Sequence, residues 1–310
     1  MTIKPMRVEN MAKKKQNKTF SLKKDAGAWM LLIPSAFLTY LLTIRPQALG
    51  IFWSFFNMKG FTVEDFVGFD NYRRVVTDTA FAQTFLNTWI YVLWSLVIGL
   101  ALPFVIAIVM NELIRARKTV RVITYLPAIM PAVAVSMLWY YMYYPDASGL
   151  LNMLLAKFGR EPYVWLQDSR FTILYIIISM TWSGAGGTAL YYFAGLQGIN
   201  RELYEAAMMD GAGFFRRIRV VTIPQMSGML ILFAIKQCIA VFNIVDQPMQ
   251  MTGGGPNNAS MSLGLLNYRY AFVNYKPQFT LALGVIMLII LSLFSVIYFA
   301  VNKRIEENQM

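Results

Sequence analysis

The sequence has 310 residues, of which 57% are hydrophobic and 14% are charged, and its mean hydropathy is +0.48. The apolar share exceeds that of ordinary soluble domains and the charged share is about half the usual one, so we expect lipid to cover much of the surface. Histidine is absent and Cys238 is the only cysteine, which excludes Ser-His-Asp catalysis, histidine-bound zinc and an internal disulfide.

The first 27 residues form a basic tail that includes Lys13, Lys14 and Lys15. We predict a solvated cytoplasmic tail that helps to fix the orientation of the chain. The apolar run that follows is long for a signal peptide and has no small-residue cleavage site after it, so we interpret it as a retained first helix.

Six stretches are apolar enough over about 20 residues to cross a bilayer. They run from Ala28 to about Phe56, from Phe85 to Met110, from Val122 to Tyr143, from Phe171 to Leu196, from Ser227 to Asp246 and from Phe279 to Val301. Pro127 and Pro131 are predicted to kink the third span.

The distribution of lysine and arginine predicts the orientation of these spans. With the N-terminus inside, the inner segments hold 18 basic residues and the outer segments hold 8. Cytoplasmic loops retain positive charge, so both termini are expected in the cytoplasm, with residues 302–310 as a short second tail. The net charge of +12 is divided among these segments, which indicates membrane topology rather than nucleic-acid binding. The predicted fold is an all-α membrane protein with a six-helix membrane domain over residues 28–301.

The predicted inner loop over residues 197–226 has the composition of two short helices. Good helix formers run from Arg201 to Met209, and Gly211 then allows a sharp exit. A second short helix is predicted from Phe214 to about Val221, before Pro224 opens the fifth span. Such a helical pair projecting from the membrane is suited to docking a partner protein.

The residues of this loop resemble a known motif. Glu205-Ala-Ala, Gly211 six positions later and the closing Ile223-Pro224 are similar to the EAA loop of ABC importer permeases. Elsewhere Phe66 to Arg73, Asn87-Thr88 and Thr252-Gly-Gly-Gly-Pro256 resemble carbohydrate permeases, the last one those of the maltose-type first subunit. The resemblance implies a type I ABC importer permease fold in the plasma (inner) membrane of a prokaryote.

In that family the loop inserts into a groove on the ATPase, and the resemblance implies this role for six residues: Glu205, Ala206, Ala207, Asp210, Gly211 and Pro224. It also implies a second homologous permease, two ATPase subunits and an extracytoplasmic substrate-binding protein as partners. The expected substrate is a sugar or oligosaccharide, and a polyol or glycerol-phosphate type solute is the alternative.

The sequence contains no G-x-x-x-x-G-K-[ST] phosphate loop. ATP and Mg²⁺ are therefore expected on the partner ATPase, and this chain is expected to be a non-catalytic subunit without a metal or cofactor of its own. The three consecutive glycines from Gly253 to Gly255 are interpreted as a flexible outer turn.

Polar or aromatic residues within the spans are candidates for the substrate pathway. Lys236, Asn243 and Gln247 have spacings of seven and four, which predicts one shared helix face. Trp182 lies among small residues of the fourth span, where either close helix packing or a sugar-lined cavity fits. The aromatic run from Trp139 to Tyr144 is interpreted as an interfacial belt in preference to a sugar site.

Two further classes of function are alternatives to an importer subunit. A stand-alone secondary transporter predicts inverted repeats and ionisable relays, and neither is evident in this sequence. A membrane-embedded enzyme predicts convergent acidic groups or histidine in the bilayer, and these are also lacking. Reconstitution separates the three classes, because only a permease subunit needs partners and ATP.

Overall fold

The computed structural model describes residues 26–113 and 115–309, so most of the predicted basic tail lies outside the described residues. The α-helices are α1 (Ala26–Thr39), α2 (Arg45–Trp53), α3 (Asp70–Val76), α4 (Thr79–Trp94), α5 (Ala101–Glu112), α6 (Arg117–Tyr125), α7 (Ala132–Met142), α8 (Leu150–Lys157), α9 (Thr172–Gln197), α10 (Arg201–Met209), α11 (Phe214–Arg217), α12 (Ile223–Phe242), α13 (Asp246–Thr252), α14 (Leu263–Tyr268) and α15 (Pro277–Gln309). Two short strands, β1 (Phe56–Lys59) and β2 (Thr62–Phe66), lie between α2 and α3.

The chain divides into two compact units, residues 1–52 and residues 53–310. Within the described part, four continuous helices are long and apolar enough to cross a membrane: Thr79–Glu112, Thr172–Gln197, Phe214–Phe242 and Pro277–Ala300. A bent pair, Arg117–Ile129 with Ala132–Met142, makes a fifth if it is counted as one span. The first predicted span corresponds to the helical stretch from Ala26 to Trp53 and is not among these helices, so the count of six stays a prediction.

Three π-helical segments interrupt the long helices, and each precedes a proline. They cover Tyr40–Ile44, Ser95–Leu100 and Ile218–Thr222. The prolines that follow are Pro46, Pro103 and Pro224, and in each case the residue four positions earlier lies within the π segment. A proline ring clashes with that carbonyl and donates no hydrogen bond to it. The wider turn therefore lets each helix continue through its proline.

The third predicted span is broken rather than kinked. A 3₁₀ turn over Leu126–Ile129 follows α6, Pro131 precedes α7 in an extended conformation, and the two helices meet at 100°. The expectation of one helix from Val122 to Tyr143 is therefore wrong. Two prolines four residues apart remove two backbone donors from the same turn, which ends the helix.

The prediction of an entirely helical fold is wrong at one place. Strands β1 and β2 pair antiparallel, with Phe56 opposite Phe66 and Lys59 opposite Thr62. The buried Asn71 amide donates hydrogen bonds to the carbonyl oxygens of Ser54 (2.9 Å) and Phe56 (2.8 Å), which ties the base of this hairpin to α3.

The main hydrophobic core of the second unit joins α4, α7, α9, α12, α14 and α15 at their predicted outer halves. Its fully buried members include Tyr91, Ile176, Phe242, Leu265 and Leu283. A smaller cluster around Ala107, Tyr192 and Met226 lies toward the predicted inner ends. The two clusters hold the spans together at two levels, and Phe242 of the first cluster is adjacent in sequence to the candidate pathway residue Asn243.

The loop between α7 and α9 is folded around one buried side chain. The Asn152 amide donates to the carbonyl oxygens of Tyr144, Asp146 and Tyr163, and its oxygen accepts from Trp165 Nε1 at 2.8 Å. Nearby, Asp168 accepts hydrogen bonds from Arg170 and from the Tyr163 hydroxyl. These donors hold the pKa of the Asp168 carboxyl well below its usual range, and the same carboxylate raises the pKa of Tyr163 to about 12.

Candidate functional site

The helix α10 carries three of the six residues predicted to contact the ATPase, and side-chain and backbone caps define both of its ends. The Asn200 side chain accepts a hydrogen bond from the Glu202 amide at 3.1 Å, as an N-cap does. At the other end the Ala212 amide donates to the Ala207 carbonyl (2.9 Å) and the Gly211 amide to the Met208 carbonyl (3.0 Å). This pair of bonds is a Schellman motif, which requires a left-handed residue at its centre.

Gly211 supplies that left-handed residue, with φ of +75°. A side chain at this position would strain the backbone, and this strain explains why the motif has a glycine here. The predicted sharp exit at Gly211 is therefore confirmed.

A small apolar cluster holds α10 against the start of the next helix. Ala207, Ala212 and Val221 are buried together, and the Tyr204 hydroxyl lies 3.0 Å from the Thr222 hydroxyl. Ala207 thus packs inside its own chain, which differs from the expectation that it faces a partner. Its small side chain lets α10 approach the helix that follows.

The outward side of the loop presents both acidic and apolar groups. Glu205, Ala206, Asp210 and Gly211 are exposed. Glu205 and Asp210 are in neither of the two ion pairs found among the described residues. The exposed apolar side chains include Met209 (89%) and Phe215 (81%), which the sequence motif does not contain. Such large exposed apolar groups beside unpaired carboxylates are typical of a surface that a partner covers.

Pro224 does not open a new span, contrary to the prediction. The segments α11, Ile218–Thr222 and α12 form one continuous helix from Phe214 to Phe242, and Pro224 lies exposed on it. The π segment accommodates the proline, so the docking loop leads into the membrane helix without a break.

The predicted shared face of Lys236, Asn243 and Gln247 is only partly present. Lys236 and Asn243 are exposed on the same side of the α12 helix, Asn243 as its C-cap residue. Gln247 belongs to the separate helix α13 and is half-buried, so its grouping on that face is wrong. The helix ends at Phe242, and beyond that end the Ile244 carbonyl, to which Pro248 has no amide hydrogen to donate, accepts a hydrogen bond from the Ser262 hydroxyl at 2.6 Å.

Trp182 lies on a different surface from Lys236. It is partly exposed on α9 and packs edge-on against Trp139 of α7, with ring centroids 5.8 Å apart. Tyr191, whose ring contacts Lys236, is nine residues further along the same helix and so points in the opposite direction. The four candidate pathway residues therefore do not form one constellation within this chain.

The chain was compared with family models, and the model described as binding-protein-dependent transport system inner membrane component matches residues 99–307. That range covers two thirds of the sequence and contains the whole docking loop. The chain belongs to this family. It is a multi-pass membrane protein and the permease subunit of a binding-protein-dependent importer.

Two relatives show how far the likeness extends along the permease. It is 30% identical over 285 residues to the probable ABC transporter permease protein YurN of Bacillus subtilis, covering 89% of this chain and 97% of that protein. It is also 30% identical over 282 residues to the multiple sugar-binding transport system permease protein MsmF of Streptococcus mutans, covering 90% and 96%.

A solved structure shares the fold of the permease. It belongs to a bacterial ABC transporter involved in the import of the acidic polysaccharide alginate, with a TM-score of 0.80 at 22% identity, covering 91% of this chain and 97% of that one. The predicted type I importer fold is confirmed at this level.

The permease also has a folded segment between α13 and α14, on the predicted outer side, whose structure the sequence analysis did not predict. Gly253 and Gly254 have positive φ, and the following turn is fixed by a hydrogen bond that the Ser260 hydroxyl donates to the Gly255 carbonyl and by a 2.6 Å contact between the Ser260 and Thr252 hydroxyls. The interpretation of Gly253 to Gly255 as a flexible turn is therefore wrong. Together with Tyr140 and Tyr144, residues Thr252, Gly255 and Pro256 line a cavity of about 350 Å³.

Three side chains of α4 anchor this segment. The Asn87 amide donates to the carbonyl oxygens of Asn258 (2.6 Å) and Met261 (3.1 Å), and the Tyr91 hydroxyl donates to that of Ser260 (3.0 Å). The Thr88 hydroxyl accepts from the Leu263 amide at 3.0 Å. All three side chains are buried. Asn87-Thr88 is part of the resemblance to carbohydrate permeases, which assigns it no role. The feature of the sequence that indicates this anchor is a pair of polar residues at the start of an apolar span.

Proposed function

We propose that this permease forms half of the translocation pathway for a sugar or oligosaccharide and couples it to a separate ATPase. The observation that carries the coupling role is the capped helix α10, held on the continuous helix from Phe214 to Phe242 with its acidic and apolar residues exposed. The carbohydrate part is supported by relatives named as multiple sugar-binding and as trehalose/maltose transport permeases, the second from Thermococcus litoralis at 30% identity over 279 residues, covering 89% of this chain and 93% of that protein.

The ATPase contact is proposed to consist of Glu205, Ala206, Asp210 and Gly211, with Met209 and Phe215 added from the exposed surface. The carboxylates pair with basic groups of the ATPase, and the two large apolar side chains enter its groove. Ala207 and Pro224 are proposed to support this contact without touching the ATPase. Ala207 packs α10 closely against the following helix, and the π segment before Pro224 keeps that helix continuous.

The chain is proposed to be non-catalytic, with ATP and Mg²⁺ bound by the partner ATPase. The sequence offers no phosphate loop for a nucleotide. The complete transporter then contains a second homologous permease, two ATPase subunits and an extracytoplasmic substrate-binding protein. We place it in the plasma (inner) membrane of a prokaryote, with six spans and both termini in the cytoplasm, as the lysine and arginine distribution predicts.

The substrate pathway is proposed to run past Lys236 and Asn243 on the exposed side of α12. Gln247 on α13 lies beyond the end of that helix, and the cavity beside Tyr140 and Tyr144 is the proposed outer entrance. Trp182 belongs to this pathway only through its edge contact with Trp139.

A polyol or glycerol-phosphate type solute is the alternative substrate within the same family. The alternative of a stand-alone secondary transporter is not retained, because the chain belongs to a family of binding-protein-dependent transport components.

Co-purification from the native membrane with a tag on this chain tests the proposal, followed by ATPase assays with and without the binding protein. We expect recovery of a second permease and an ATPase, and hydrolysis stimulated by the loaded binding protein. Loss of the ATPase from the complex of Glu205→Arg, with the second permease retained, is expected of a coupling contact. A chain recovered alone that moves solute without ATP would refute the proposal.

A further inference from the structure

Lys236 is a cation within a membrane helix. It lies six residues before the end of the helix at Phe242 and near the centre of the predicted fifth span. Charged side chains at this depth are costly unless they face water or an opposite charge. The contacts of the Lys236 ammonium group therefore indicate the role of this residue.

Within this chain the ammonium group contacts aromatic faces. Its Nζ lies 5.5 Å from the ring centroid of Phe233 and 5.9 Å from that of Tyr191. Cation–π contacts attract a cation and fix its position, but they leave its net charge unbalanced. The side chain as a whole is exposed.

The described spanning helices offer no carboxylate to balance this charge. Thr79–Glu112, Thr172–Gln197, Phe214–Phe242 and Pro277–Ala300 contain a single acidic residue, Glu112, at the end of the first. The two ion pairs of the described residues, Arg74 with Asp70 and Arg170 with Asp168, both lie outside these helices. The positive charge of Lys236 thus stands alone at its depth in the described part of the chain.

The surface around Lys236 has space for a ligand. Leu232, Ile239 and Asn243 are exposed on the same side of the helix. On the neighbouring helix α9, Gly187 and Gly184 stand one and two turns before Tyr191, and a Cβ atom on either would meet nothing within 4 Å. Lys236 therefore projects beside an open, partly polar surface rather than into a packed core.

We propose that the transported solute is an anionic saccharide, one that carries a carboxylate or another fixed negative charge, and that Lys236 is the residue that selects it. This inference rests on the proposed function and adds the charge of the substrate. A fixed cation without a counter-charge attracts anions to the pathway and gives a neutral sugar no comparable gain. The rings of Tyr191 and Phe233 hold the ammonium group in place for each passing solute.

The test uses the complete transporter, purified through a tag on this chain and reconstituted in proteoliposomes with its binding protein. The ligand retained by that binding protein is identified by mass spectrometry, and its uptake is measured for the native protein and for Lys236→Met and Lys236→Arg. Lys276→Met is the matched control, because Lys276 lies 5.4 Å from the Phe279 ring but outside the predicted spans.

We expect an acidic ligand, an uptake reduced by roughly tenfold or more in Lys236→Met, a smaller loss in Lys236→Arg, and no change in Lys276→Met. A neutral native ligand, or an acidic ligand transported equally well by Lys236→Met, would overturn the inference and leave the proposed function intact. Loss of the second permease from the Lys236→Met complex would also overturn it, because the lysine would then pair with that subunit. Uptake without ATP would instead contradict the proposed function itself.

Discussion

A Cβ atom placed on Gly186 would lie 1.9 Å from the carbonyl oxygen of Thr124, because the end of α6 rests directly on the backbone of α9 at this point. We expect Gly186→Ala to destabilise the protein by about 2–3 kcal/mol, since the obstacle is backbone that has to move. Thermal unfolding in detergent measures the effect. Gly187→Ala is the control, because its Cβ meets nothing within 4 Å, and an equal loss in both variants would contradict the contact.

The left-handed Gly211 predicts a local defect in the docking loop. Gly211→Ala is expected to cost about 1–2 kcal/mol in the folded loop, because an L-residue at φ of +75° is strained. Binding of the purified ATPase should weaken by about tenfold while the melting temperature of the membrane domain changes little. In Gly213→Ala, where φ is −66°, binding should stay close to that of the native protein.

The two exposed apolar side chains of the loop predict where the ATPase gains binding energy. Truncation of Met209 or Phe215 to alanine should weaken the association by about 1–2 kcal/mol each, since both are almost fully exposed in the isolated chain. Titration calorimetry or an ATPase pull-down provides the measurement. Phe61→Ala is the control on the β1–β2 hairpin, where Phe61 is 98% exposed. Equal affinities for all three variants would place the interface elsewhere.

The anchor at Asn87 predicts that the outer segment depends on α4. Asn87→Leu leaves the carbonyl oxygens of Asn258 and Met261 without their donor, which should cost about 2–3 kcal/mol. Protease cleavage within residues 253–262 should accelerate in membranes. Asn274→Ala, at an exposed position, should leave the cleavage rate unchanged.

The hydrogen bonds of Asp168 predict an acid-sensitive outer loop. Since its pKa is lowered in the folded state by Arg170 and Tyr163, its contribution to stability is present above the unfolded value of about 3.9 and is lost as the pH falls below it. The melting temperature of the native protein should decrease on acidification more than that of Asp168→Asn. Asp65→Asn, in strand β2, should follow the native curve.

Much of the helical framework follows from apolar run length and from a few breaker residues. The fourth span is predicted from Phe171 to Leu196 and is found from Thr172 to Gln197, because its apolar run is long and contains no proline. The docking helix was predicted within its observed bounds, Arg201–Met209, because helix formers end at a glycine.

The prediction was wrong where a proline acts together with a distant contact. Pro224 continues its helix through a π segment, whereas Pro248 lies in a separate helix that begins after α12 has ended at Phe242. The second case is settled by Ser262 and by Gly264, whose Cβ would lie 2.6 Å from the Ile244 carbonyl oxygen. Contacts of this kind, eighteen or more residues away in sequence, carry no signal in local periodicity.

The unbroken helix from Phe214 to Phe242 has a mechanical consequence. At 1.5 Å per residue its 29 residues make a rod about 43 Å long, so a tilt of about 5° at one end displaces the other by about 4 Å. The wider turn over Ile218–Thr222, which lies just before Pro224, is a compliant point along this rod. A substitution that makes this turn stiffer or more flexible would therefore change the displacement that the helix transmits from the loop to Lys236 and Asn243.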